Sequence, residues 1–115
     1  MTYDYNSPQI SGVAPYEWVK ANLQYYIDSS EEAVGSASKI LMGLNFYGYD
    51  RTGGASEAVL SKRFIELLSE PDSVLSFDEN DGEHKLLFGK YGVLFYPTKQ
   101  SIKLRLDLAK ELEIG

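Results

Sequence analysis

No cysteine occurs anywhere in the 115 residues. Disulfides and thiolate metal centres are thereby excluded, and the redox compartment is left undecided. Histidine is nearly as scarce. His84 stands alone, without the clustered partners that a protein metal site needs. Positive charge is in deficit, with 11 Lys and Arg against 17 Asp and Glu, a net charge of -6. Nucleic acids and anionic membranes are recognised by clustered Lys and Arg, so neither is an expected partner. No apolar run approaches the roughly 20 residues of a membrane-spanning helix. A basic segment followed by an apolar one is missing from the first residues, so no signal peptide is expected within this sequence. Internal repeats and low-complexity stretches are absent too.

Aromatic residues, in contrast, are plentiful: nine Tyr and five Phe beside a single Trp. Hydrophobic residues make up 43% and charged residues 24%, the composition of an ordinary globular chain. The length suffices for one modest domain with its own core.

Two short runs organise the chain. Met1 to Tyr5 alternates large side chains in the manner of a strand, and Asn6-Ser7-Pro8 breaks it. Ile40 to Phe46 is a near-continuous apolar run, as expected of a strand buried on both faces of a parallel sheet. Between them a helix is predicted from about Pro15, with Tyr16, Val19, Leu23 and Tyr26 or Ile27 on one face. Trp18, Ala21 and Tyr25 line a neighbouring face, and Asp28 to Ser38 reads as a polar loop. This β-α-β order implies a parallel pair joined by a right-handed crossover.

After the loop Arg51-Thr52-Gly53-Gly54, residues 57 to 69 suit a helix that Pro71 ends, with Leu60, Phe64, Leu67 and Leu68 on one side. Three short strands are predicted over Val74 to Phe77, Lys85 to Phe88 and Gly92 to Tyr96, separated by turns rich in Asp, Asn and Gly. Thr98 can cap a last helix running to about Leu112, with Ile102, Leu106, Ala109 and Leu112 as its core stripe.

Several polar groups have unexceptional readings. His84, between Glu83 and Lys85, reads as a surface residue. Asp78 to Gly82 resembles a calcium loop in composition, but Gly82 takes the place of a ligand, so a turn is expected. Asp50, just before Gly53-Gly54, reads as a turn former. Glu31-Glu32, and Glu111 with Glu113, read as solvated faces.

The two runs also carry a resemblance. Met1-x-Tyr3-Asp4 is similar to the sixth-strand motif of glycoside hydrolase family 18, the chitinase-like (β/α)8 barrels. Lys39-Ile-Leu-Met-Gly-Leu-x-Phe-Tyr47-Gly48 is similar to the seventh strand of that family. Ala14-Pro15 with Trp18-Val19, Phe95-Tyr-Pro-Thr98, and Ser101 to Leu112 extend the likeness over nearly the whole chain. The chitinase domain-containing, stabilin-interacting group of the family resembles it most, and the spore-cortex glycosidases share Tyr47-Gly-Tyr-Asp50.

The resemblance implies an α/β fold: a partial (β/α)8 TIM barrel, strands six and seven with helices six and seven, carrying a small α+β insertion. Residues 1–50 would be the β-α-β barrel unit, 51–97 the insertion, and 98–115 helix seven, stopping before strand eight. A full barrel takes about 250 residues. In such barrels the functional groups sit at the C-terminal ends of the strands. Tyr3, Asp4, Tyr47 and, within the motif, Met1 are therefore the sugar-binding candidates. Tyr3 would hydrogen-bond the N-acetyl group of a sugar, Asp4 would orient the sugar or its acetamido group, and Tyr47 would face the same pocket. A tyrosine suits a sugar, because it offers a flat apolar face and a hydroxyl. The alternative for these tyrosines is that they fill core space and bond to backbone. Trp18 would pack against the barrel without touching sugar.

The family's catalytic signature, Asp-x-x-Asp-x-Asp-x-Glu on the fourth strand, would lie upstream of residue 1. Asp78-x-x-Asp81-x-Glu83-x-Lys85 echoes it with the wrong final residues. The expectation is a fragment of a carbohydrate-binding barrel that is not catalytic by itself. Its ligand would be an N-acetylglucosamine-type oligosaccharide, its partner the remainder of the barrel, with no cofactor and no metal. Secretion or a lysosomal address is implied by the resemblance only. Two rival readings remain: part of an active family 18 glycosidase, and a free-standing α/β interaction domain.

Overall fold

The structure, a computed structural model, describes residues 1–29 and 37–115. The expected solvated pair Glu31-Glu32, and most of the loop between Asp28 and Ser38, lie outside the described residues. Among the described residues three α-helices form: α1 (Tyr16–Asp28), α2 (Ser61–Leu68) and α3 (Lys99–Glu111). The described strands are β1 (Gly48–Asp50), β2 (Glu57–Val59), β3 (Val74–Asp78), β4 (Glu83–Phe88) and β5 (Gly92–Tyr96). They make one sheet of order β2-β1-β5-β4-β3, with antiparallel neighbours throughout. No described helix is long and apolar enough to cross a membrane.

The helical expectations at the two ends hold for local reasons. Pro15 occupies the position before α1, and its carbonyl accepts the first helical bond from Val19 N–H at 3.0 Å. Thr98 caps α3 through a reciprocal capping box with Ser101. Between β3 and β4, the Asp78 side chain accepts the Asp81 N–H at 2.9 Å, so Asp78 to Gly82 is a turn as expected. The helix expected over 57 to 69 begins later. Glu57 to Val59 pair with Asp50 to Gly48 instead, a tertiary pairing that overrides local propensity.

The parallel sheet is the larger correction. Among the described residues, neither Met1 to Tyr5 nor Ile40 to Phe46 joins a strand ladder, and every strand pairing is antiparallel. Parallel strands need cover on both faces or closure into a barrel. Here Met1, Leu41 and Phe46 are 83%, 86% and 72% exposed, so that cover is missing. The two runs nevertheless lie side by side. Thr2 Oγ1 donates to Gly43 O at 2.7 Å, and the Tyr3 ring rests where a side chain on Gly43 would begin, 2.9 Å from its Cε1.

Two apolar cores result. One lies between the sheet and α2 and is built from Val59, Phe64, Leu67, Leu86 and Leu94. Phe64 stacks on Tyr96 in it with ring centroids 4.3 Å apart. The other joins α1 to α3 through Val19, Leu23 and Leu108, with Tyr3, Trp18 and Met42 against it. Trp18 also packs on Tyr5, centroids 5.2 Å apart, the packing role expected of it. Two cores make the molecule long, 53 × 26 × 21 Å with a radius of gyration of 15.6 Å. A compact chain of this length would have about 13 Å.

The α3 stripe is displaced by one residue. Ser101, Arg105 and Leu108 are buried, whereas Leu106 is exposed and Ile102 and Ala109 only partly covered. The cause is the segment 11–15, which is buried yet belongs to no helix or strand. Buried backbone groups need partners, and charged side chains supply them. Arg105 donates to the carbonyls of Ala14, Asp81, Ser101 and Gly82. Asp81 accepts Gly12 N–H at 2.7 Å, and Glu83 accepts Ala14 N–H at 3.3 Å.

Glu83 is fully buried, and its other carboxylate oxygen, Oε1, has no hydrogen-bond partner. Burial, opposed by Ala14 N–H and the Arg105 cation and helped by Asp81, pushes its acid up to about 7 from an ordinary 4.5. The folded state therefore holds a proton between those values that the unfolded state releases, and stability falls as pH rises through that window. The displacement corresponds to on the order of 3 kcal/mol. Glu83→Gln is expected to flatten the loss of melting temperature between pH 4.5 and 7 and to melt above the unsubstituted chain at pH 8. A second substitution probes the same contact. The Glu83 carboxylate fills the space beside Gly12 where a Cβ would stand. Gly12→Ala is expected to cost about 1–3 kcal/mol in urea denaturation.

Candidate functional site

Extended chain turns every second residue to one side. Tyr47, Tyr49 and Arg51 stand at such positions around β1, and all three reach toward the end of the first run. Asp4 waits there with φ of 63°, a left-handed conformation that Asp tolerates better than most residues. Tyr5 N–H donates to Val13 O at 2.9 Å and holds the chain just beyond it.

The Asp4 carboxylate is the focus. Its Oδ1 accepts hydrogen bonds from both the Tyr47 and the Tyr49 hydroxyls, the latter at 2.6 Å. Tyr3 meets Tyr47 edge-on, centroids 6.4 Å apart, and Tyr47 leans on Tyr49 at 5.9 Å. The Arg51 guanidinium carbon lies 4.7 Å from the centre of the Tyr49 ring. Asp4 is exposed, and Tyr3, Tyr47 and Tyr49 are half-buried. Burial first, and then the bond to Asp4, pushes the Tyr47 phenol well above the ordinary range. The same two causes raise Tyr49, while the Arg51 cation pulls it back. Both hydroxyls therefore stay protonated near neutral pH and act as donors.

The expected residues Tyr3, Asp4 and Tyr47 thus come together. Met1 does not join them, its side chain standing in solvent. Tyr49 and Arg51 belong to the cluster although the sequence reading gave them no role. Their every-second-residue spacing from Tyr47 is the signal in the sequence that sets them on its side of the extended chain. Asp50 points elsewhere: its Oδ1 accepts Thr52 N–H at 2.8 Å and forms the turn expected of it. From Asp50 an open groove of about 600 Å³ runs along β2 and α2, between Glu57, Lys62, Arg63 and Glu66.

His84 corrects its expected surface role. It is half-buried, its Nδ1 lies 2.6 Å from Thr98 Oγ1, and its ring meets Phe77 at 5.0 Å. It supports the start of α3, and burial lowers its pKa. Among the described residues no three His, Cys, Asp or Glu side chains gather as metal ligands. What the aromatic cluster offers chemically is a carboxylate acceptor framed by phenol donors and ring faces, suited to a ligand rich in hydroxyl and amide groups.

No family model matches the sequence. Solved structures do. The spore cortex-lytic enzyme SleL of Bacillus megaterium is 28% identical over 99% of this chain and 27% of its own, with a TM-score of 0.81. SleL of Bacillus cereus superposes over the full chain and 29% of its own at a TM-score of 0.83 and 24% identity. A chitinase of Chromobacterium violaceum does so over the full chain and 37% of its own, with a TM-score of 0.83 and 22% identity. The chain spans between about a quarter and two-fifths of these proteins, and over that span it has a chitinase-like α/β fold.

Proposed function

We propose that this chain is a segment of a family 18-type chitinase-like barrel and supplies part of a subsite for N-acetylglucosamine-type oligosaccharides. The observation that carries the reading is the convergence of the Tyr47 and Tyr49 hydroxyls on one oxygen of Asp4, beside the Tyr3 ring. Asp4 and the phenols would meet sugar hydroxyls and the acetamido group, and the tyrosine faces would meet the apolar face of the ring. The names of the similar structures, a spore cortex-lytic enzyme and a chitinase, support a carbohydrate ligand. In this reading residues 1–50 and 98–115 belong to the barrel, 51–97 form its insertion, and a chitinase domain-containing relative in a secreted or lysosomal setting is the parent type.

The chain by itself does not catalyse in this reading. Glu83, the acid raised toward neutrality, is fully buried, and the aromatic cluster holds one carboxylate. The parent as an active glycosidase, its acid in the family signature elsewhere, is the second reading, and the names of the neighbours favour it. An Asp-x-x-Asp-x-Asp-x-Glu segment upstream in the same frame would decide for it.

Titration of the chain with an N-acetylglucosamine tetramer, followed by NMR, is expected to shift the ring signals of Tyr3, Tyr47 and Tyr49. Asp4→Asn and Tyr47→Phe should each weaken that binding by about tenfold, about 1.4 kcal/mol. Unmoved tyrosine signals would sink the sugar reading, and turnover abolished by a substitution within the chain would sink its non-catalytic part. Exposed Met1, Leu41 and Phe46 should also give dye binding and concentration-dependent sedimentation. A strictly monomeric, dye-silent chain would favour a free-standing domain instead.

A further inference from the structure

Arg51 is 5% exposed, a cation removed almost wholly from water. Its backbone is mounted on the sheet, because Arg51 N–H donates to Val93 O at 2.8 Å. Its side chain then spans to the other end of the molecule's irregular segment. Nε donates to Ser11 O at 3.1 Å, one terminal nitrogen donates to Tyr5 O at 3.2 Å and Gly12 O at 3.4 Å, and the other donates to Ser56 Oγ. Tyr5 is the residue after Asp4, and Tyr49 lies under the guanidinium. The fork thus holds both halves of the Asp4–Tyr49 hydrogen bond: the acceptor through the carbonyl next to it, the donor through its ring face. A planar guanidinium can do this with five donors in fixed directions, and an ammonium cannot.

We propose that Arg51 is the positioning residue of the cluster, fixing Asp4 against Tyr49 by clamping the Tyr5, Ser11 and Gly12 carbonyls while stacking on the Tyr49 ring. Its bearing on sugar recognition rests on the function proposed above, but its geometric role does not.

The test reads the tyrosines directly and needs no sugar. The ring carbon bonded to each hydroxyl is followed by NMR against pH, over the range in which circular dichroism shows the fold intact, for the unsubstituted chain, Arg51→Met and Arg51→Lys. Two effects of losing Arg51 have opposite signs. Loss of the cation alone raises the Tyr49 pKa, since Arg51 pulls it down. Loss of the clamp frees Tyr49 from Asp4 and from its burial, and lowers it. The positioning role predicts that Tyr49 titrates at lower pH in Arg51→Met and that the backbone signals of β3–β5 stay in place. Arg51→Lys, which keeps the charge without the fork, should move Tyr49 in the same direction. An upward or absent shift of Tyr49 in folded Arg51→Met overturns the proposal. So does an Arg51→Lys chain indistinguishable from the unsubstituted one, and that arm decides the matter if Arg51→Met does not fold. A normal Tyr49 response with no sugar binding would count against the sugar reading alone, and the converse against Arg51 alone.

Discussion

Everything else in this molecule depends on how the buried segment 11–15 satisfies its backbone. It is buried although it belongs to no helix or strand, and its Ala14 is part of the α1–α3 core. An unpaired buried amide or carbonyl costs about 1–3 kcal/mol. Four charged side chains prevent that cost: Arg51 and Arg105 serve its carbonyls, Asp81 and Glu83 its amides. They come from β1's end, the β3–β4 turn, β4 and α3. One irregular segment therefore joins the sheet to the helices, and the chain holds two cores as one body.

The candidate site inherits its order from that junction. Asp4 precedes the segment, and Tyr49 precedes Arg51, so the cluster lies where the two ends of the clamp meet. The same chemistry that satisfies the interior leaves a carboxylate at the surface with phenols bonded to it. Glu83 shows the opposite face of the economy of burial. It completes the amide of Ala14 but leaves Oε1 unpartnered, and the carboxyl answers by holding its proton toward neutral pH.

Much of the secondary structure was legible because its signals are local. The stretch after Pro15, the Thr98 cap and the Asp78–Gly82 turn each act within a few residues. The strands β3 to β5 alternate faces over a hairpin span, so Leu86 and Leu94 fall on one core in register. Where a distant partner outweighs the local preference, the observed structure departs from the local pattern. Glu57 to Val59 became a strand because β1 was available, and Arg105 displaced Leu106 from the interior because carbonyls there required donors.

The sequence by itself determined the helices α1 and α3, the strands β3 to β5, the acidic and cysteine-free character, and the presence of Tyr3, Asp4 and Tyr47 at the ends of two runs. Only the tertiary structure decided that these three meet, that Tyr49 and Arg51 complete the group, and that the runs adjoin without forming a parallel sheet. The physical reason is the same in each case. A side-chain pattern records hydrophobic periodicity, but the demand of a buried carbonyl for a donor arises only once the chain has folded. The residues that answer it here lie 39 and 91 positions from their partners.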